Sequence, residues 1–154
     1  MPSLGIPIEK QRQQLWCWSA VAVATAKHFS THRTQCGVAN KTLGQTTCCT
    51  SGHSRLCNKM ALLEDALSEV GHFDTHQAGQ VSWKKLDTKM SASRPVGIRL
   101  GLNGGGAHFQ LVIGTFAASD IEIMDPQGFI MTGPHANLAS HIFGQWTDTY
   151  FTKP

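Results

Sequence analysis

The sequence is short of charge: Asp, Glu, Lys and Arg make up only 15% of its 154 residues, where about a quarter is usual. The net charge is only +3, and the basic residues are scattered, from Lys10, Arg12 and Lys27 to Lys84 and Lys85. No run of them has the density of a nucleic-acid stripe, so no nucleic-acid partner is expected. Long apolar runs are missing too. Nothing approaches the roughly 18 residues of a membrane-spanning helix, so no membrane span is expected. The opening "MPSLGIPIEKQRQQ" lacks the charged, apolar and small-residue order of a cleaved signal peptide. The protein therefore either stays inside the cell or leaves by a route that needs no cleaved signal. There is no internal repeat, no low-complexity tract and no linker-like stretch. The glycines of "GLNGGGAH" have the wrong spacing for a nucleotide fingerprint, and a strand rather than a helix follows them. No cofactor is expected.

What is present suits one domain over residues 1–154, with 41% hydrophobic residues and enough length for a core. The lead-in carries Pro2 and Pro7, which oppose helix. From Leu15 to about Phe29 the chain is Ala-rich and apolar nearly all round, the pattern of a helix buried in mid-domain. A short helix is expected over Gln35–Leu43. Another is expected within "KMALLEDALSEVG", where apolar residues recur at helical spacing and Gly71 closes the run. A third is expected in "SWKKLDTKMSAS", capped by Ser82. After Pro95 the texture turns to β: "PVGIRLGL", "AHFQLVIGTF" and "DIEIMD" are strand-like runs separated by turn chemistry, and "QGFIMTG" and "QWTDTYFT" supply one or two further strands. Helices first and an antiparallel sheet second make an α+β domain.

Four of the five cysteines, Cys36, Cys48, Cys49 and Cys57, crowd into one loop-like stretch. A bond between adjacent Cys48 and Cys49 is sterically poor. That leaves Cys36–Cys48 with Cys49–Cys57, or Cys36–Cys49 with Cys48–Cys57. A zinc site that also used His53 fits less well, because structural zinc prefers paired C-x₂₋₄-C spacings. No metal is assigned. Disulfides would imply an oxidising destination.

Cys17 stands apart, between Trp16 and Trp18 at the start of the buried helix. A helix N-terminus favours a thiolate, and so does an imidazole beside it. Of eight histidines, His108 is the one that opens a continuous apolar strand, directly after a glycine turn. The next strand ends in "IMDPQG", and an antiparallel return would bring Asp125 near the level of His108. A carboxylate there fixes the ring's tautomer and orientation. Asp125-Pro126 also reads as a simple turn initiator. Acyl transfer needs an oxyanion hole as well. The amide of Cys17 is one natural donor, and Gln11, Gln13 and Gln14 upstream offer a second.

These residues together resemble a family. "Q-x4-W-C-W-S-A", the "CC…CN" segment, "RPVGIRL", "GGGAHFQLVIG", "IEIMDP" and "QWTDTYFTKP" resemble the papain-like cysteine proteases of the bacterial avirulence-effector type. More distantly they are similar to bacteriocin-leader peptidases. The resemblance runs from about Gln11 to the C-terminus and implies a papain-like fold, with the nucleophile helix packed on the sheet. It implies Cys17 as nucleophile, His108 as general base and acid, Asp125 as orienting carboxylate (papain carries Asn there) and Gln11 as oxyanion donor. Trp16 and Trp18 would wall the substrate cleft, and core packing is their alternative. The chain is shorter than papain-type enzymes, so a reduced cleft is expected, and no pro-segment is visible. The implied activity is peptide-bond hydrolysis through a thioester on Cys17, in a bacterial effector or toxin exported from the cytoplasm. Such a toxin implies a cognate immunity or inhibitor protein. A peptidoglycan amidase or a glutamine deamidase would use the same parts, and a non-catalytic binding module is the reading from another class.

Overall fold

The computed structural model describes residues 3–138 and 144–154. The lead-in lies extended against the body, with Ser3 bridging to Gly114 and the Leu4 amide donating to the Ile113 carbonyl at 2.8 Å. Helix α1 (Cys17–His28) follows, and its first ten residues are all buried. Its two buried hydroxyls find acceptors: Ser19 donates to the Gln35 carbonyl and Thr25 to the Val21 carbonyl. Helix α2 (Gln35–Leu43) starts at Thr34, whose hydroxyl accepts from the Gly37 amide, and stops at Gly44 in the left-handed region at φ 66°. Helix α3 (Leu63–Glu69) is shorter than the apolar period of its segment, and Gly71 follows it at φ 87°. Met60 and Leu62 are left outside it and stay exposed.

Strand β1 (Phe73–Ala78) comes next, then helix α4 (Trp83–Ser91), capped by Ser82 as its sequence implies. Strands β2 (Val96–Leu102), β3 (Ala107–Phe116), β4 (Asp120–Asp125), β5 (Phe129–Pro134) and β6 (Gly144–Thr152) occupy the strand-like runs, and one helical turn, α5 (His135–Leu138), follows β5. They form one antiparallel sheet in the order β1-β6-β2-β3-β4-β5. The sequence reading contains no β1. Its segment "FDTHQA" is largely exposed and poor in apolar residues, and its strand character comes from pairing with β6.

Alternation along the strands feeds two apolar clusters, one on each face. Phe109, Leu111, Ile113, Met124 and Tyr150 join the helices α1, α2 and α3. Val96, Ile98, Val112, Ile123 and Phe151 join Leu86 and Met90 of α4. The result is the α+β layering expected, with α1 against β3. Cys36 of α2 is bonded to Cys49 and, between α2 and α3, Cys48 to Cys57, the second of the two pairings left open. With all four sulfurs bonded to one another, none is left to ligate zinc.

Candidate active site

Cys17 is the first residue of α1 and the free thiol of the chain, 2% exposed. As the opening residue of a helix its amide has no intrahelical acceptor. His108 sits near the start of β3, after the Gly104–Gly106 turn, and reaches both partners the chemistry asks for. Its Nε2 lies 3.0 Å from each carboxylate oxygen of Asp125. It lines the same cleft as Cys17, whose interaction also favours the protonated ring. Because Nε2 is taken by Asp125, Nδ1 is the nitrogen left to face the thiol.

The electrostatics follow from that geometry. Burial works against the imidazolium, but hydrogen bonds to Asp125 and Cys17, with the charges of both, outweigh it and raise the His108 pKa from 6.5 to about 9. Burial likewise disfavours the Asp125 carboxylate. Donation from His108, Gln110 and the Gln127 amide prevails, and the Asp125 pKa is lowered. The site therefore favours a protonated ring between two acidic groups.

Asp125 has a second duty. Its Oδ1 accepts from the Gln127 amide at 2.7 Å and its carbonyl accepts from the Gly128 amide at 2.9 Å. The turn-initiator reading and the orienting reading thus describe the same side chain. Its level in the sheet is near that of His108, offset by two residues. Leu111 pairs with Met124, so continuing the ladder puts Asp125 opposite Gln110 and only diagonally from His108. Gln110, absent from the sequence reading, accordingly donates to Asp125 Oδ2 at 2.7 Å. The signal that could have found it is register.

Gln11 lines the same cleft as Cys17. Its backbone amide donates to the Pro126 carbonyl at 2.7 Å, tying the lead-in to the Asp-Pro turn. Its carboxamide nitrogen is occupied, donating to the carbonyls of Gln14 at 2.6 Å and Gln13 at 3.1 Å, while the buried Oε1 has no partner. To serve an oxyanion the carboxamide must release one of those bonds.

Trp16 and Trp18 require a correction. Neither walls the cleft: both are buried, at 1% and 0% exposure. Their indole N–H groups donate to the carbonyls of Cys57 and Lys59 at 2.7 and 2.9 Å. Burying an indole demands such acceptors, and the disulfide-bonded loop supplies them. Apolar walls come instead from Leu15, Met60, Leu100, Leu102, Phe129 and Met131, around a cleft of about 540 Å³.

The family model for the papain-like cysteine protease AvrRpt2 matches residues 2–133. The chain belongs to that family. No curated protein matches it, but solved structures do. A C39-like peptidase from Bacillus anthracis shares 12% identity at a TM-score of 0.63, over 98% of this chain and 96% of that one. The peptidase domain of Streptococcus ComA, a bifunctional ABC transporter of a quorum-sensing pathway, shares 14% at 0.61, over 97% and 99%. A double-glycine-motif protease of an AMS/PCAT transporter, solved with its leader peptide, shares 15% at 0.60, over 99% and 94%. At such identities the likeness speaks for the fold, which is papain-like. As a member of the AvrRpt2 family the protein is a hydrolase of the cysteine peptidase type.

Proposed function

We propose that the protein cleaves peptides by acyl transfer through Cys17, with His108 and Asp125 completing a triad. The observation that carries this reading is one imidazole held by Asp125 at 3.0 Å through Nε2 in the cleft that Cys17 also lines. The thiolate attacks the scissile carbonyl carbon, and the carbonyl electrons move onto oxygen. The Cys17 amide and a released N–H of Gln11 donate to that oxyanion. On collapse the C–N bond breaks, and His108 gives its proton to the departing amine. Water then loses a proton to His108 and attacks the thioester. The C–S bond breaks, releasing a carboxylic acid and restoring the Cys17 thiolate beside the protonated His108. Asp125 keeps the ring oriented throughout.

The substrate is a protein or peptide segment with apolar side chains near the cleaved bond, a reading supported by the apolar walls of the cleft. The two disulfides support an oxidising destination, consistent with an effector or toxin exported from a bacterial cytoplasm. An inhibitor or immunity protein that covers Cys17 would protect the producing cell. A thiol-directed epoxysuccinate should label Cys17 alone in the oxidised protein. Incubating active protein and a Cys17→Ala control with proteomes and with purified peptidoglycan, then mapping new termini by mass spectrometry, tests the class. New protein termini that need Cys17 support a peptidase. Products from peptidoglycan alone, or deamidated glutamines without new termini, refute it in favour of an amidase or a deamidase.

A further inference from the structure

Within the apolar run "FQLVI" of β3, Gln110 is the one polar residue, and it is 2% exposed. A carboxamide sunk in a sheet is costly unless it is hydrogen-bonded. Its nitrogen has a single acceptor among the described contacts, Asp125 Oδ2 at 2.7 Å. The carboxylate is thereby held from both sides: Gln110 takes Oδ2, the Gln127 backbone amide takes Oδ1, and His108 Nε2 stands equidistant at 3.0 Å from the two oxygens. Pairing of Leu111 with Met124 sets Gln110 directly across from Asp125, so the fold itself delivers this contact. Of the two braces on the carboxylate, only Gln110 is a side chain.

We propose that Gln110 is a positioning residue of the active site, which fixes the Asp125 carboxylate so that both of its oxygens face the His108 ring. This rests on the triad reading above and extends it by a member that acts through Asp125. Without the Gln110 N–H, the carboxylate is free to turn about its Cβ–Cγ bond, and Oδ2 loses a donor in a buried place. The imidazolium is then less well held, and its proton leaves at lower pH. The titratable groups facing Asp125 are His108 from β3 and, beyond that ring, Cys17 from α1. From the lead-in, the stem of Lys10 lies against Gly128 of the same turn.

The test uses Gln110→Met and Gln110→Leu, which keep bulk and remove the donor, in the disulfide-intact protein. The rate at which iodoacetate alkylates Cys17 is followed against pH. As the anionic reagent is drawn by the imidazolium, the rate falls when His108 deprotonates. The expected result is an alkaline limb displaced downward by about one pH unit and peptide turnover reduced about tenfold at pH 8. In an Asp125→Ala background the same substitutions should add nothing, because they act through Asp125. An unmoved limb, additive losses, or a large fall in melting temperature in both variants overturns the proposal, the last by marking Gln110 as a folding residue. If Cys17→Ala and His108→Ala leave turnover intact, the triad reading itself is wrong. If they abolish it while Gln110→Met is silent, only the positioning role falls.

Discussion

Removing Asp125 should move the alkaline limit of the enzyme by more than two pH units. Burial alone would drive the His108 ring neutral, and Asp125 is the first of the groups that reverse this and hold its pKa at about 9. The step from 6.5 to about 9 corresponds to about 3 kcal/mol in favour of the imidazolium. In the proposed mechanism the protonated ring pairs with the thiolate and later protonates the leaving amine, so activity should be lost as pH rises through that value. In Asp125→Ala the desolvation remains and only Cys17 opposes it, so the limb should fall to about pH 6.5 or below. Asp125→Asn keeps an acceptor for the ring N–H but not the charge, and should fall between the two. The assay is iodoacetate alkylation of Cys17, which needs no substrate and sees one free thiol in the oxidised protein. Coincident alkaline limbs for wild type and Asp125→Ala would refute the reasoning, since Asp125 could not then be what holds the proton on His108.

Replacing Cys48 and Cys57 together by Ser opens a loop with a sequence separation of 9. Chain entropy puts the loss at about 2.6 kcal/mol, and a melting temperature by circular dichroism should fall by about 5–10 °C. Gln11→Ala should lower kcat by about 10²–10³-fold with little effect on epoxysuccinate labelling of Cys17. A loss under about threefold in steady-state turnover would remove Gln11 from the oxyanion hole, leaving the backbone amide of Cys17 without that side-chain partner.

The elements easiest to read in the sequence were those whose signals are local. Thr34 and Gly44 bracket α2, Ser82 caps α4, and the β-rich runs after Pro95 carry their own turns, so each appears where its residues ask for it. The positions of Cys17 and His108 were legible for the same reason, one at a helix start and one at a strand start. What was not legible depends on partners distant in the chain. Strand β1 has no apolar alternation of its own and exists through β6. Helix α3 begins at Leu63 rather than earlier in its apolar period, and just before it the Lys59 carbonyl receives the Trp18 indole while Met60 lines the cleft. The two indoles look like cleft walls until the carbonyls of Cys57 and Lys59 arrive to bury them. Gln110 depends on a register that no single strand announces.

The segment from Gln11 to Trp16 belongs to no helix or strand, yet in the proposed mechanism it holds the oxyanion donor and leads into the nucleophile. Loops of that kind are ordinarily the mobile part of a protein. Here its N–H groups are assigned to three separate bodies. The Gln11 amide goes to the Pro126 carbonyl of the turn that carries Asp125, and the Arg12 amide to the side chain of buried Gln35 on α2. The Leu15 amide goes to Asn58, one residue beyond Cys57, whose own carbonyl takes the Trp16 indole. The first anchor fixes the segment to the turn that carries Asp125, and the last fixes it to the residue that follows the Cys48–Cys57 disulfide loop. Substrate-positioning groups must be held rigidly for catalysis to gain from them. The disulfide-bonded loop supplies an anchor beside that segment, through the Cys57 carbonyl and the neighbouring Asn58 side chain. In the proposed mechanism the crowded cysteines and the lone one therefore answer to the same requirement: the disulfides of four close the loop to which the segment leading into the fifth is tied.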